Sequence, residues 1–192
     1  MTHGLIDPRE PLISDEKTIA VATLVSATGS TSKKVGTKMI VGESGRLLGG
    51  VTIGGCVDAQ VVEAADALLG QGGRCMLSIS LDDDEAWEIG LTCGGTVDVL
   101  IDRVDVRDSD DPIRSAHATA REALARDEAV VIVTPLDGRA AAFVVTENGS
   151  RYGTLGDALL NERAAAIATD VLTSTSRIEE IEHAGTSRKF FF

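Results

Sequence analysis

The chain has 192 residues, 18 basic and 30 acidic, for a formal charge of −12; that is enough for one large domain or two small ones with a sizeable core. Such acidity argues against a grip on nucleic-acid phosphates or an anionic membrane surface, so small molecules and proteins are the expected partners. No apolar run approaches the roughly 20 residues of a membrane helix, and residues 1–11 hold acids and prolines where a signal peptide would be cationic and then apolar. A cytoplasmic location is expected. Three cysteines spaced 19 and 18 apart, with no C-x-x-C pair, disfavour a disulfide scaffold and a zinc module.

In chain order, residues 18–25 (TIAVATLV) read as a buried strand, and residues 38–41 and 46–48 as a hairpin around Glu43, Ser44 and Gly45. From Cys56 the period changes: Val57, Val61, Ala65 and Leu68 recur at helical spacing, with Asp58 in the first turn and Gly70 as the stop. Residues 76–81 and 96–103 read as strands, the second alternating Val97, Val99 and Ile101 against Thr96, Asp98 and Asp102; residues 82–95 read as irregular or briefly helical. The charged stretch 103–112 ends in Asp-Pro, a linker followed by a helix start, and divides the chain into residues 1–103 and 104–192, packed as one compact unit. Beyond it, Ile113, Ala116, Ala120, Ala123 and Leu124 share a helical face, and residues 129–134 and 140–146 form a second hairpin. Asp157 caps a helix to Leu172 with Leu160, Ala164, Ile167, Ala168 and Val171 inward, and residues 177–182 and 189–192 are extended. Hairpin links without strict alternation of strand and helix predict an α+β (or α/β) fold: a mixed, largely antiparallel sheet with helices packed on it.

Three segments can carry chemistry. The first is TGSTSKKVGTK, residues 28–38, with candidate ligand groups on Ser30, Thr31, Lys33, Lys34, Gly36 and Lys38. Residues 17–42 contain four lysines and no acid, a cationic stretch suited to phosphate or another anion. It is not a Walker loop: six residues rather than four separate Gly29 from Gly36, and Thr37-Lys38 stands in reversed order. An ordinary solvated loop is equally compatible with its composition. The second is GGVTIGGCVD, residues 49–58, where Gly54 and Gly55 precede Cys56 at a helix start. Unpaired N–H groups there bind anions and stabilise a thiolate, although a tight turn with a buried cysteine explains the same residues. The third is GLTCGG, residues 90–95, which sets Cys93 beside Gly94 and Gly95 before a strand. Cys75 enters a strand and reads as structural. His3, His117 and His183 are too scattered to build a metal cluster or a Cys-His dyad, and Trp87 reads as a core anchor.

Taken together, GSTSKKVGTK, GGVTIGGCVDAQVVEAA and DEAWEIGLTCGGTVDVLID, in this order and spacing, resemble the XdhC/CoxI family of molybdoenzyme accessory proteins over residues 19–102. The resemblance implies a molybdenum cofactor (molybdopterin) binding and insertion chaperone, more an accessory protein than an enzyme. It would hold the cofactor transiently and serve a molybdoenzyme of the xanthine dehydrogenase or carbon monoxide dehydrogenase type. Lys33, Lys34 and Lys38 would face the anionic cofactor, with Cys56 and Cys93 near its sulfur or molybdenum. Ser32-Lys33 replaces the family's Pro-Arg, which keeps the charge and loses a bidentate fork; Ile53 replaces a small residue and Asp58 a longer acid. Longer members continue into a Rossmann domain whose glycine fingerprint is absent here, so no NAD is expected. The partners implied are the client enzyme, a cysteine desulfurase and a separate Rossmann-domain protein. Two other readings stand beside this one: a sulfur- or acyl-transfer enzyme using Cys56 as nucleophile, and a non-catalytic interaction subunit. Phe190, Phe191 and Phe192, half of the six aromatic residues, would form an associating patch if exposed and so predict a homodimer or a tight partner complex.

Overall fold

The protein is described by a computed structural model over residues 5–7, 10–28, 33–52, 55–81 and 95–192. Its elements are α1 (Pro11–Ser14), β1 (Thr18–Ala27), β2 (Lys38–Val41), a 3-10 turn (Glu43–Gly45), β3 (Leu47–Gly50), α2 (Gly55–Gln71), β4 (Arg74–Leu81) and β5 (Gly95–Asp105). There follow α3 (Pro112–Ala125), β6 (Val130–Pro135), β7 (Phe143–Thr146), β8 (Arg151–Gly153), α4 (Ala158–Val171), β9 (Ile178–His183) and β10 (Thr186–Phe191). The fold is α+β, and its strands divide between two five-stranded sheets ordered β3-β2-β1-β5-β4 and β8-β7-β6-β10-β9. Every pairing among the described residues is antiparallel.

Strand alternation sorts the side chains into layers. Ala20, Ala22, Leu24, Val97, Val99 and Ile101 face α2, which meets them with Val57, Val61, Ala65 and Leu68. Val131, Val133, Phe143 and Val145 face α4 and its Leu160, Ala164 and Ala168. The remaining sheet faces meet each other: Ile19, Val21, Ile40 and Val104 pack with Ala142, Val144 and the α3 residues Ile113 and Ala116. Both sheets are therefore covered on both faces. That explains why β1 is apolar almost throughout, whereas a sheet with one wet face would alternate.

Three expectations change at this level. Asp102, expected on a polar face of β5, lies in the layer between the sheets and is only 5% exposed. On α3 the buried stripe is Ile113, Ala116, His117, Ala120 and Ala123, while Leu124 is 40% exposed. The terminal rings are covered by their own chain: Phe190 and Phe192 join the α4 core, and Phe191 packs between the sheets against Val25, Leu100 and Val35. The exposed patch on which self-association was expected does not exist. Of the segment expected to be irregular, residues 82–95, Gly95 opens β5, and residues 82–94, Trp87 among them, lie outside the described residues.

Candidate functional site

Antiparallel pairing brings the three glycine-bearing segments to one end of the first sheet. Thr23 lies opposite Lys38, Met39 opposite Gly50, Ala27 opposite Val97, and Leu81 opposite Gly95. The end of β1, start of β2, end of β3, end of β4 and start of β5 therefore share an edge, from which connections 28–37, 51–54 and 82–94 all leave. The N-terminus of α2, the positive end of its dipole, follows the second connection and sits at the same edge.

Backbone bonds tie the roots of these connections together. The Thr28 N–H donates to Thr96 O at 2.8 Å, and the Thr96 N–H donates to Thr28 Oγ1 at 3.0 Å, which joins the first segment to the third. The Gly36 N–H donates to Leu24 O at 2.7 Å, the Leu24 N–H to Thr37 O at 2.9 Å, and Thr37 Oγ1 to Lys34 O at 2.6 Å. Gly36 holds a φ of +93°, a conformation that suits glycine. The second segment joins the first where the Val51 N–H donates to Lys38 O at 2.8 Å. Gly50, at φ +85°, makes that contact possible, because a Cβ there would stand 2.3 Å from Lys38 O.

Of the sequence candidates, Lys33 is half-buried, Lys34 is exposed, Gly36 lies in the first connection and Gly95 opens β5. Gly55 and Cys56 form the first turn of α2. Ser30, Thr31, Gly54, Cys93 and Gly94 fall outside the described residues. Lys38 points inward: its Nζ donates to Thr23 Oγ1 at 2.9 Å in the layer between the sheets. Desolvation pushes its pKa down to about 8, against the opposing attraction of Asp102. Cys75 lies at the far end of β4 from the shared edge, half-buried against the α2 core, and burial followed by the nearby Asp102 charge raises its pKa. A thiol so placed is a poor nucleophile and metal ligand.

Sequence reasoning missed a buried polar cluster beside Lys38. Arg74 Nε donates to Asp102 Oδ1 across the β4–β5 pair, and Arg74 Nη1 donates to Pro135 O and Arg139 O, both at 2.6 Å, so one guanidinium joins the two sheets. Burial raises the Asp102 pKa, and the Arg74 charge opposes it. His117 Nδ1 accepts the Ile6 N–H at 3.0 Å, and burial, followed by the Lys38 and Arg121 charges, lowers its pKa to about 3, so the imidazole is neutral. The only available signal was the polar member of each alternating pair, which does not reveal that a second sheet covers that face. Among the described residues no group of three His, Cys, Asp or Glu side chains could hold a metal ion, and no helix is long and apolar enough to cross a membrane. A cavity of about 300 Å³ between α3 and β8 includes none of the segments at the shared edge.

Comparison with known proteins agrees with this anatomy. Residues 12–80 match the XdhC and CoxI family. A Bacillus subtilis (strain 168) protein, named as a probable subunit of xanthine dehydrogenase, is 28% identical over 169 residues, which cover 87% of this chain and 48% of that protein. The chain thus spans about half the length of the relative it matches. A crystal structure of a Bacillus halodurans protein described as a xanthine dehydrogenase superposes with a TM-score of 0.60 at 21% identity, covering 78% of this chain and 44% of the other. At that identity the likeness is one of fold. The matched stretch contains the first two of the three converging segments together with α2 and most of β4, and so it is over these elements that the chain is similar to the XdhC and CoxI family.

Proposed function

We propose that the protein is an accessory factor of a molybdoenzyme that binds molybdenum cofactor transiently and hands it to an enzyme of the xanthine dehydrogenase or carbon monoxide dehydrogenase type. The family match supports the accessory role. The observation that carries the binding reading is the convergence of connections 28–37, 51–54 and 82–94, with the α2 N-terminus, on one edge of one sheet. A cargo that combines an anionic phosphate with a soft metal–sulfur centre needs lysines and amide donors at one place and thiolates close by. Residues 1–103 are the cofactor-binding region in this reading, and residues 104–192 are a second segment that shares the inter-sheet core. Lys33, Lys34, Lys38 and the Gly55 amide hold the anion, while Gly36, whose N–H is bonded to Leu24 O, shapes the loop. Cys56 and Cys93 face the sulfur or molybdenum end, where a helix N-terminus favours the Cys56 thiolate. The client enzyme, a cysteine desulfurase and a cytoplasmic setting complete the proposal.

The test is native purification from cells that make the cofactor, with molybdenum and pterin measured together. Stoichiometric metal and pterin are expected. Cys56→Ala and Cys93→Ala should each lower retention by about tenfold, equivalent to about 1.4 kcal/mol, with the unfolding transition preserved, and Cys75→Ala should retain the parental content. Absence of both metal and pterin from the parent overturns the proposal. Catalytic turnover with a trapped Cys56 adduct would replace it with the transferase reading.

A further inference from the structure

We infer that a groove beside the first connection is an anion subsite, built jointly by both halves of the chain, that takes the phosphate monoester end of the cargo. Its dependence on the proposed function is limited to the identity of that cargo. The groove encloses about 220 Å³ and is lined by Gly36, Lys38, Thr134, Ser174, Ser176 and Phe191, among others. Lys38, Thr134 and Phe191 also line a small internal cavity of about 10 Å³ that continues to Thr23, Asp102 and His117, room for about one water. Lys38 therefore separates a groove at the candidate site from the polar cluster behind it.

The charges in that cluster do not cancel. Lys38 and Arg74 are two cations, Asp102 is one carboxylate already bonded to Arg74, and His117 is neutral. The neighbouring charges are committed elsewhere. Asp111 accepts the Ile113 and Arg114 amides at the start of α3, and Arg121 lies 3.8 Å from Asp7. Near the other wall, Arg177 bonds both Asp170 and Glu179. Asp102 is shared between the two cations and leaves the cluster one positive charge in excess; a desolvated charge so incompletely balanced is costly, and an anion in the groove would compensate it.

The donors match such an anion. Lys38 has three N–H bonds and, among the described residues, Thr23 Oγ1 is its only hydrogen-bond acceptor, which leaves two to offer. The hydroxyls of Thr134 and Ser176 have no protein partner among the described residues, whereas Ser174 Oγ is occupied by Asp170 O and Arg177. The glycine at position 36 lets the loop come close to the other wall, for a Cβ there would stand 3.5 Å from Ser176 Oγ. Lys38, Thr134 and Ser176, which line one groove from different strands and loops, bring an ammonium and two hydroxyls to it, donors suited to a tetrahedral oxyanion with several acceptor oxygens.

The experiment is thermal unfolding of the full chain titrated with inorganic phosphate, against chloride at matched ionic strength. Phosphate-specific stabilisation that grows with concentration is expected for the parent. It should weaken by at least about tenfold in apparent affinity in Lys38→Met and in the double variant Thr134→Val with Ser176→Ala. Lys38→Met replaces a buried charge with an apolar chain of similar length and should fold; the double variant provides an independent test of the groove. No phosphate-specific shift, or equal shifts in parent and variants, overturns the subsite. Retention of molybdenum and pterin by Lys38→Met at the parental level overturns its assignment to the cargo. Phosphate protection that the variants lose, in a parent that carries no molybdenum or pterin, supports the subsite and defeats the cargo reading instead.

Discussion

His117 shows how one side chain can be essential to the inter-sheet layer without taking part in binding. Its Nδ1 must keep a lone pair to accept the Ile6 N–H, and Arg121 Nη1 donates to Ile6 O at 2.5 Å, so α3 holds the N-terminal segment at both polar groups of one residue. Protonating the ring would abolish the first bond and bury a cation beside Lys38. With a pKa of about 3 in the folded chain and about 6.5 unfolded, the unfolded state binds the extra proton between those values. The stability His117 confers is therefore complete above pH 6.5 and falls by about 1.4 kcal/mol per pH unit below it, until the folded ring protonates near pH 3. His117→Gln is expected to flatten the acid limb of a denaturation series between pH 6 and pH 4; an unchanged slope would show that other groups set it. This histidine was visible in the sequence only as one of three scattered imidazoles. Its burial could not be seen because the polar position it fills is created by the chain's own N-terminal segment.

At the scale of elements, local chemistry was largely legible and its partners were not. The helix start at Asp-Pro is realised as read: Asp111 caps α3, its Oδ1 accepting the Ile113 N–H at 2.9 Å and the Arg114 N–H at 3.0 Å. Its Oδ2 also accepts the Asp105 N–H at 3.0 Å, so the cap anchors the end of β5 as well. Asp111→Ala is expected to cost about 1–2 kcal/mol in urea unfolding, the upper range for a cap because two elements lose a partner. Asp111→Asn, which keeps the acceptor, should recover most of it. Asp157 likewise caps α4 as read, but α2 runs through Gly70 to Gln71, and Gly72, at φ +84° with its N–H on Leu68 O at 2.7 Å, is the glycine that closes it. Leu124 is different: it has the angular position of Ile113, yet it is exposed while its neighbour Ala123 is fully buried, and periodicity alone does not say how the covering surface is shaped at the end of the helix. The two hairpins were readable because their strands are neighbours in sequence. The pairing of β1 with β5 and of β10 with β6 joins segments far apart, and no local pattern encodes which distant strands meet.

Over the whole molecule, the C-terminal strand links the second sheet to the layer packed against the first. Phe190 and Phe191 pair with Pro135 and Thr134, and the Phe192 N–H and O exchange bonds with Arg177 O and N–H at 2.9 and 3.2 Å. The three rings reach the α4 core and the layer against the first sheet. Losing one buried Phe typically costs about 3–5 kcal/mol, and a domain has only about 5–15 kcal/mol in total. A chain truncated after Arg188 is therefore expected to lose its cooperative thermal transition, which calorimetry would detect; a truncated protein with the parental transition would show that the rings contribute little. The convergence of the glycine-bearing segments was legible in part, since three glycine motifs in fixed order pointed to one site. The groove beside them was not, because its far wall comes from residues more than ninety positions later in the chain.

That far wall also imposes a schedule on the nascent chain. The first sheet is complete in sequence at Asp105, but Phe191, which lies under Val35, is made 86 residues later. At roughly 5–20 residues per second, the ribosome would expose the loop carrying Lys33, Lys34 and Lys38 several seconds before its support exists. During that interval the lysines have no groove behind them, so cargo captured early would be held by the loops alone. The groove lined by Lys38 is thus complete only once β10 has been made, and under the proposed function full retention of cargo is expected only from chains synthesised that far.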